Sequence, residues 1–214
     1  MAFLDFGYYD STSDTPSVSG LDLGSNDGRV ALVAGYIDAG TTVASLTVAG
    51  EDMLPAIDTA TAYTSFVQRA YAKLMTATGS QNLAANMTPA GGLKRLICAT
   101  FDDIDSIRSA ECFDSNGSAG SLSVTVDTVE GDIVVVLGSD LGIYDDFTAT
   151  GGATTIPGSG FFIGAYKTAA GTSTTVTGTF ASGSHNWQVI AFVLTPSGGG
   201  GGSAVPLKLQ LLGA

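Results

Sequence analysis

The chain has 214 residues, 44% hydrophobic and only 13% charged, with a formal net charge of −12. That length suits one large β domain or two small ones, and the apolar content excludes global disorder. An acidic balance with 8 scattered Lys and Arg excludes a binder of phosphate backbones, so no nucleic-acid partner is expected.

Met1 to Phe6 lack the basic and apolar regions of a secretory leader. No apolar run nears the roughly 20 residues of a membrane span, so no membrane partner is expected either. These features lead to the expectation of a protein made in a host cytoplasm without a signal peptide. Residues 1–14 stand ahead of any repeated segment. Their aromatics suit either an assembly arm, with Phe3 and Phe6 as candidate partner-binding residues, or a terminus whose rings cover the body of the protein.

From Gly28 onward the chain repeats itself. Gly28-Arg29-Val30-Ala31-Leu32-Val33-Ala34-Gly35 returns as Gly131-Asp132-Ile133-Val134-Val135-Val136-Leu137-Gly138. Phe66-Val67-Gln68-Arg69-Ala70-Tyr71 returns as Phe161-Phe162-Ile163-Gly164-Ala165-Tyr166, and Leu96-Ile97-Cys98-Ala99 as Val189-Ile190-Ala191-Phe192. The separation shrinks along the chain, as a duplicated unit with shorter loops in its second copy would give. The expected layout is a duplicated body over 15–197, with halves of about 15–112 and 113–197.

One stretch conflicts with this. Tyr63, Phe66, Val67, Ala70, Tyr71 and Leu74 fall at helical spacing, so Asp58 to Met75 reads as an amphipathic helix. The repeat sets Phe66 to Lys73 opposite Phe161 to Lys167 and argues for a strand, with a short helix at Asp58 to Thr64 left open.

The second half reads plainly as strands. Leu122, Val124 and Val126 alternate with polar residues, whereas Ile133 to Leu137 is a continuous apolar run that should be covered on both faces. Phe147 to Ile156, Phe161 to Lys167, Thr174 to Phe180 and Asn186 to Leu194 follow, separated by Gly and Pro turns. Short strands without intervening helices predict an all-β, antiparallel β-sandwich, jelly-roll-like, built from two sequence-related halves.

Each half runs through a polar-alternating strand, a turn, a strongly apolar strand, an aromatic strand, a Ser/Thr-rich strand and a closing apolar strand such as Trp187 to Leu194. That order resembles the duplicated jelly-roll-like β-sandwich modules of phage virion and extracellular surface proteins, over about Pro16 to Pro196. The first copy departs from the second in having Lys94 where the second has Trp187. The resemblance implies a non-enzymatic structural protein, most plausibly a phage capsid decoration (cement) protein on the virion surface. Its expected partners are capsid or other virion subunits and further copies of itself, as a homo-oligomer that is trimeric by analogy. The alternative it leaves is a carbohydrate-binding or host-adhesion module of a virion or tail surface.

Residues 198–214 are a glycine tether, Gly198 to Gly202, followed by a short segment in which Val205, Leu207, Leu209 and Leu211 share one face of an extended chain. Such a segment can add to a sheet edge, which makes these four the second set of candidate partner-binding residues.

Catalytic patterns are weak. His185 is the sole histidine and sits in the turn Ser182-Gly183-Ser184-His185, where an exposed loop position is expected. No nucleophile elbow, phosphate loop or zinc pattern accompanies it, so no catalytic residue, metal site or cofactor is expected. Cys98 reads as a small core residue, and a Cys98–Cys112 bridge is geometrically conceivable. The acidic clusters Asp102-Asp103-Ile104-Asp105 and Asp140 with Asp145-Asp146 read as solvated turns, with calcium as the other reading. Trp187 reads as core, and the sequons at Asn86 and Asn116 as chance matches.

Overall fold

The computed structural model describes residues 2–53, 55–63, 66–88, 92–115, 119–141, 145–158, 160–183 and 185–198. The described chain is all-β. Its strands are β1 (Phe3–Ser11), β2 (Ser17–Asp22), β3 (Arg29–Asp38), β4 (Thr42–Val48), β5 (Glu51–Asp52), β6 (Pro55–Tyr63), β7 (Phe66–Met75), β8 (Ser80–Thr88) and β9 (Lys94–Phe101). They continue with β10 (Ile104–Asp114), β11 (Ser121–Asp127), β12 (Ile133–Asp140), β13 (Phe147–Thr150), β14 (Thr154–Thr155), β15 (Phe162–Thr168), β16 (Ser173–Phe180) and β17 (Trp187–Pro196).

The strands form four antiparallel sheets, ordered β1-β9-β3-β7-β6, β2-β8-β4-β5, β10-β17-β12-β15-β14 and β11-β16-β13. Burial follows the residue pattern of each strand. Continuous apolar runs such as Val134 to Leu137 and Leu96 to Ala99 have no exposed face, because their sheets are covered on both sides. Alternating strands such as β11 put Leu122, Val124 and Val126 inward and leave Ser121, Ser123 and Thr125 exposed.

Three apolar clusters fix how the sheets stack. Val30, Leu32, Phe101, Val135, Leu137, Ile190 and Phe192 lie between the two five-stranded sheets. The opposite faces of those sheets pack outward, Val33, Leu96 and Cys98 against Leu46, Leu83 and Met87, and Val134, Val136 and Val189 against Leu122, Val124 and Val176. The result is a β-sandwich-like stack with the five-stranded sheets innermost.

The central contact is also aromatic. From β1, Phe6 and Tyr8 meet the Phe162 ring edge-on with centroids 4.6 and 4.8 Å away, and Phe3 stacks near Tyr166 at 6.1 Å. The N-terminal segment is thus an edge strand in register with β9, from Phe3 opposite Phe101 to Ser11 opposite Lys94. The rings of this strand cover the body of the protein.

The switch between sheet systems comes earlier than the expected boundary at 112/113. β10 pairs with β17 along its length, so the change falls at Asp102-Asp103. There Gly28 adopts a φ of 67° and its carbonyl accepts from the Ile104 N–H at 2.8 Å. A Cβ at Gly28 would meet the Ile104 carbonyl oxygen at 2.3 Å, so only glycine fits the junction.

Asp58 to Tyr63 belongs to strand β6, not a helix; Thr64 lies outside the described residues. Pairing of Arg29–Asp38 with Phe66–Met75 residue by residue overrides the helical spacing. No disulfide joins Cys98 and Cys112. Cys98 is fully buried, and burial, reinforced by the charge of Asp5, pushes its thiol far up.

Candidate functional site

The apolar contact between the five-stranded sheets turns polar at one end. Tyr36 on β3 reaches across and donates its hydroxyl to the Leu137 carbonyl at 3.0 Å. Burial, with a smaller contribution from Cys112, pushes that phenol well above its ordinary range. Gln68 on β7 donates to the Phe113 carbonyl at 3.3 Å. Arg95 on β9 donates to Ser139 Oγ at 2.9 Å and the Asp140 carbonyl at 2.7 Å, pairs with Asp10 at 3.2 Å, and lies 4.2 Å above the centre of the Phe161 ring. A buried guanidinium needs such a set of acceptors to offset its lost hydration.

Asp140 links this polar end to a second cluster. Its carbonyl takes the Arg95 bond, and its carboxylate meets His185 Nδ1. His185 Nε2 faces the Ser182 carbonyl, with Asp145 Oδ2 at 3.3 Å. The imidazole stacks on Phe180, centroids 4.1 Å apart and planes 19° apart, and the His185 backbone exchanges two 2.9 Å bonds with Ala119. Asp145 in turn accepts from Ser182 N at 2.6 Å, Ser182 Oγ at 3.1 Å and Asp146 N at 2.8 Å.

These contacts overturn the expectation of an exposed His185, which is fully buried. Neighbours in sequence gave no hint of it, because Asp140 arrives from β12, far away in the chain. The available signal was a lone histidine in the same half as a carboxylate-rich loop. Burial works to lower its pKa, but the Asp140 bond, the Ser182 carbonyl and the charges of Asp140 and Asp145 outweigh it and raise the value above the ordinary 6.5. At Asp145 burial is likewise outweighed, here by the Ser182 and Asp146 bonds and the His185 charge, which hold the carboxyl low. Both ring nitrogens thus face oxygen atoms of the protein.

The other acidic cluster fastens the chain start. Asp102, 4% exposed, accepts from Ala2 N and from Asn26 Nδ2, each at 2.7 Å. Among the described residues, no group of three or more His, Cys, Asp or Glu is arranged to hold a metal ion.

Of the candidate partner-binding residues, Phe3 and Phe6 are packed against the central core. Val205, Leu207, Leu209 and Leu211 lie outside the described residues. Trp187 is core, with its indole N–H on the Ser121 carbonyl at 3.2 Å. Asn86 is exposed on β8, while the second sequon, at Asn116, also lies outside the described residues.

No protein family, curated protein or solved structure matches this chain.

Proposed function

We propose that the chain is a structural virion protein, most plausibly a capsid decoration (cement) protein of a phage, bound to capsid subunits and to further copies of itself. The observation that carries this reading is where the last described strand leads. Ser197 N donates to the Asp103 carbonyl at 2.7 Å, at the junction of the two sheet systems, and Gly198 begins the glycine tether. Beyond it the alternating Val205, Leu207, Leu209 and Leu211 suit a strand that adds to a neighbour's sheet edge. β1 and β10 are edge strands of the two five-stranded sheets among the described residues, and so are templates for such pairing.

The body itself reads as two jelly-roll-like halves from a duplication. The matching strand orders support this: β1-β9-β3-β7 corresponds to β10-β17-β12-β15, and β2-β8-β4 to β11-β16-β13. The cross-sheet contacts also correspond, with β9 against β12 answering β17 against β3. Two like surfaces meeting in this way resemble the self-complementary interface of a dimer fused into one chain.

Attachment through several weak arms gains strength from effective concentration. The test is the solution mass of the full chain and of a version ending at Ser197, by light scattering. An oligomer that falls to monomer on truncation is expected. Monomers in both forms, with saturable glycan binding, would replace this reading by the adhesion module.

A further inference from the structure

A neutral imidazole carries one N–H and one bare nitrogen. At His185 the Nδ1 side meets the Asp140 carboxylate, and the Nε2 side meets the Ser182 carbonyl and the Asp145 carboxylate. All three are acceptors. Either neutral tautomer would therefore set a lone pair against an oxygen, in a position without access to water. Only the imidazolium satisfies both sides.

We propose that His185 is a protonation latch, a buried cation clasped between Asp140 and Asp145 that fastens one pole of the second sheet system and opens when its proton leaves. Several described elements around the ring take part. β12 supplies Asp140, the connection to β13 supplies Asp145, β16 supplies the Phe180 ring, the turn before β17 supplies the Ser182 carbonyl, and Ala119 supplies backbone alone. Behind Asp140 stands one more charge pair, Arg95 with Asp10, which grips the Asp140 carbonyl from the other five-stranded sheet. Opening the latch therefore loosens the pole and leaves Asp140 itself tethered through its backbone.

The direction with pH follows from the chemistry. A histidine whose folded-state pKa lies above its unfolded value contributes stability that is fully present below about 6.5 and lost as the pH rises through the folded value. Asp145, held low, contributes above 3.8 and loses its contribution as the pH falls through its own folded value. The latch is closed between these limits. It opens on the alkaline side by loss of the His185 proton.

The chain holds 1 histidine, so its ring nitrogen resonances need no assignment. The experiment is a titration of those resonances in the full chain, with amide exchange followed in parallel at Ala119, Asp146, Ala181, Ser182 and His185. Both ring nitrogens are expected to be protonated on the acid side of a midpoint that lies above 6.5. Protection of the five amides should fall through that midpoint, by about tenfold for each unit by which it exceeds the unfolded value, while Val135 and Phe192 stay protected. Asp145→Asn should move the midpoint down. A ring nitrogen that stays bare on the acid side of the midpoint, a midpoint at or below 6.5, or protection that stays flat through the midpoint would overturn the proposal.

Discussion

Gly35 and Gly138 occupy corresponding places, each on the middle strand of a five-stranded sheet, yet their surroundings differ sharply. A Cβ at Gly35 would touch Leu96 Cδ2 at 3.4 Å and the Arg69 carbonyl at 3.5 Å, which is ordinary contact. A Cβ at Gly138 would lie 2.3 Å from Val189 Cγ1 and 2.5 Å from the Gln188 carbonyl oxygen, where backbone has to move. Nearby, Arg95 in the first sheet is hydrogen-bonded on several sides, while Gln188, on the strand that plays the same part in the second, has an amide nitrogen and oxygen without a partner among the described residues. One architecture thus carries two solutions. The first sheet system bears a satisfied buried charge, and the second closes backbone on backbone.

The largest expected break in this comparison is Gly138→Ala, which should destabilise by about 3 kcal/mol, against about 1 kcal/mol or less for Gly35→Ala. Urea unfolding of both variants decides it, and equal losses would mean the two sheets are packed alike. Next comes Arg95→Leu. It takes the Arg95 donor from Ser139 Oγ and Asp10, leaves the Asp140 carbonyl with the Ser139 hydroxyl alone at 3.0 Å, and should lower stability by about 2 kcal/mol, read from the same curves.

A smaller effect sharpens the contrast on the acid side. Glu51 accepts from Thr76 Oγ1 at 2.7 Å, Thr76 N at 3.0 Å and Ala77 N at 3.1 Å. The Thr76 hydroxyl leads these bonds in holding its carboxyl at about 2, against an ordinary 4.5. The stability it adds is present above pH 4.5 and drains away as the pH falls towards about 2. Glu51→Gln should therefore cost about 1 kcal/mol at neutral pH and nothing at the acid end of that window, as acid titrations of the two proteins would register. Smallest, and opposite in sign, is Gln188→Met. Replacing this amide with an apolar chain should raise the unfolding free energy by up to about 1 kcal/mol, whereas a loss would show that the amide has a partner.

Much of the strand content was legible because burial on two faces leaves a direct trace. Ile133 to Leu137 admits no polar residue, and its strand has none of its apolar side chains exposed. Leu122, Val124 and Val126 announce a one-sided strand just as clearly. Around Phe66 to Met75 the local signal pointed to a helix, and the register with β3 on one side and β6 on the other decided otherwise. The surroundings of Phe3, Phe6 and His185 were not legible for the same reason. Each is defined by a partner far along the chain, Tyr166, Phe162 or Asp140, and periodicity carries nothing about which sheets face each other.

The turn at Asp102-Asp103 fastens both ends of the described body. Ala2 binds the Asp102 carboxylate, and Ser197 binds the Asp103 carbonyl. The protein is topologically close to a ring. A short linker from Ser197 to Ala2 should close it, and new ends could then be opened at an exposed turn such as Gly151-Gly152 without breaking any central strand pairing. Cargo grafted at Ala2 or directly after Ser197 would leave from the same spot, so one pole of the described body would carry both additions and the opposite pole neither.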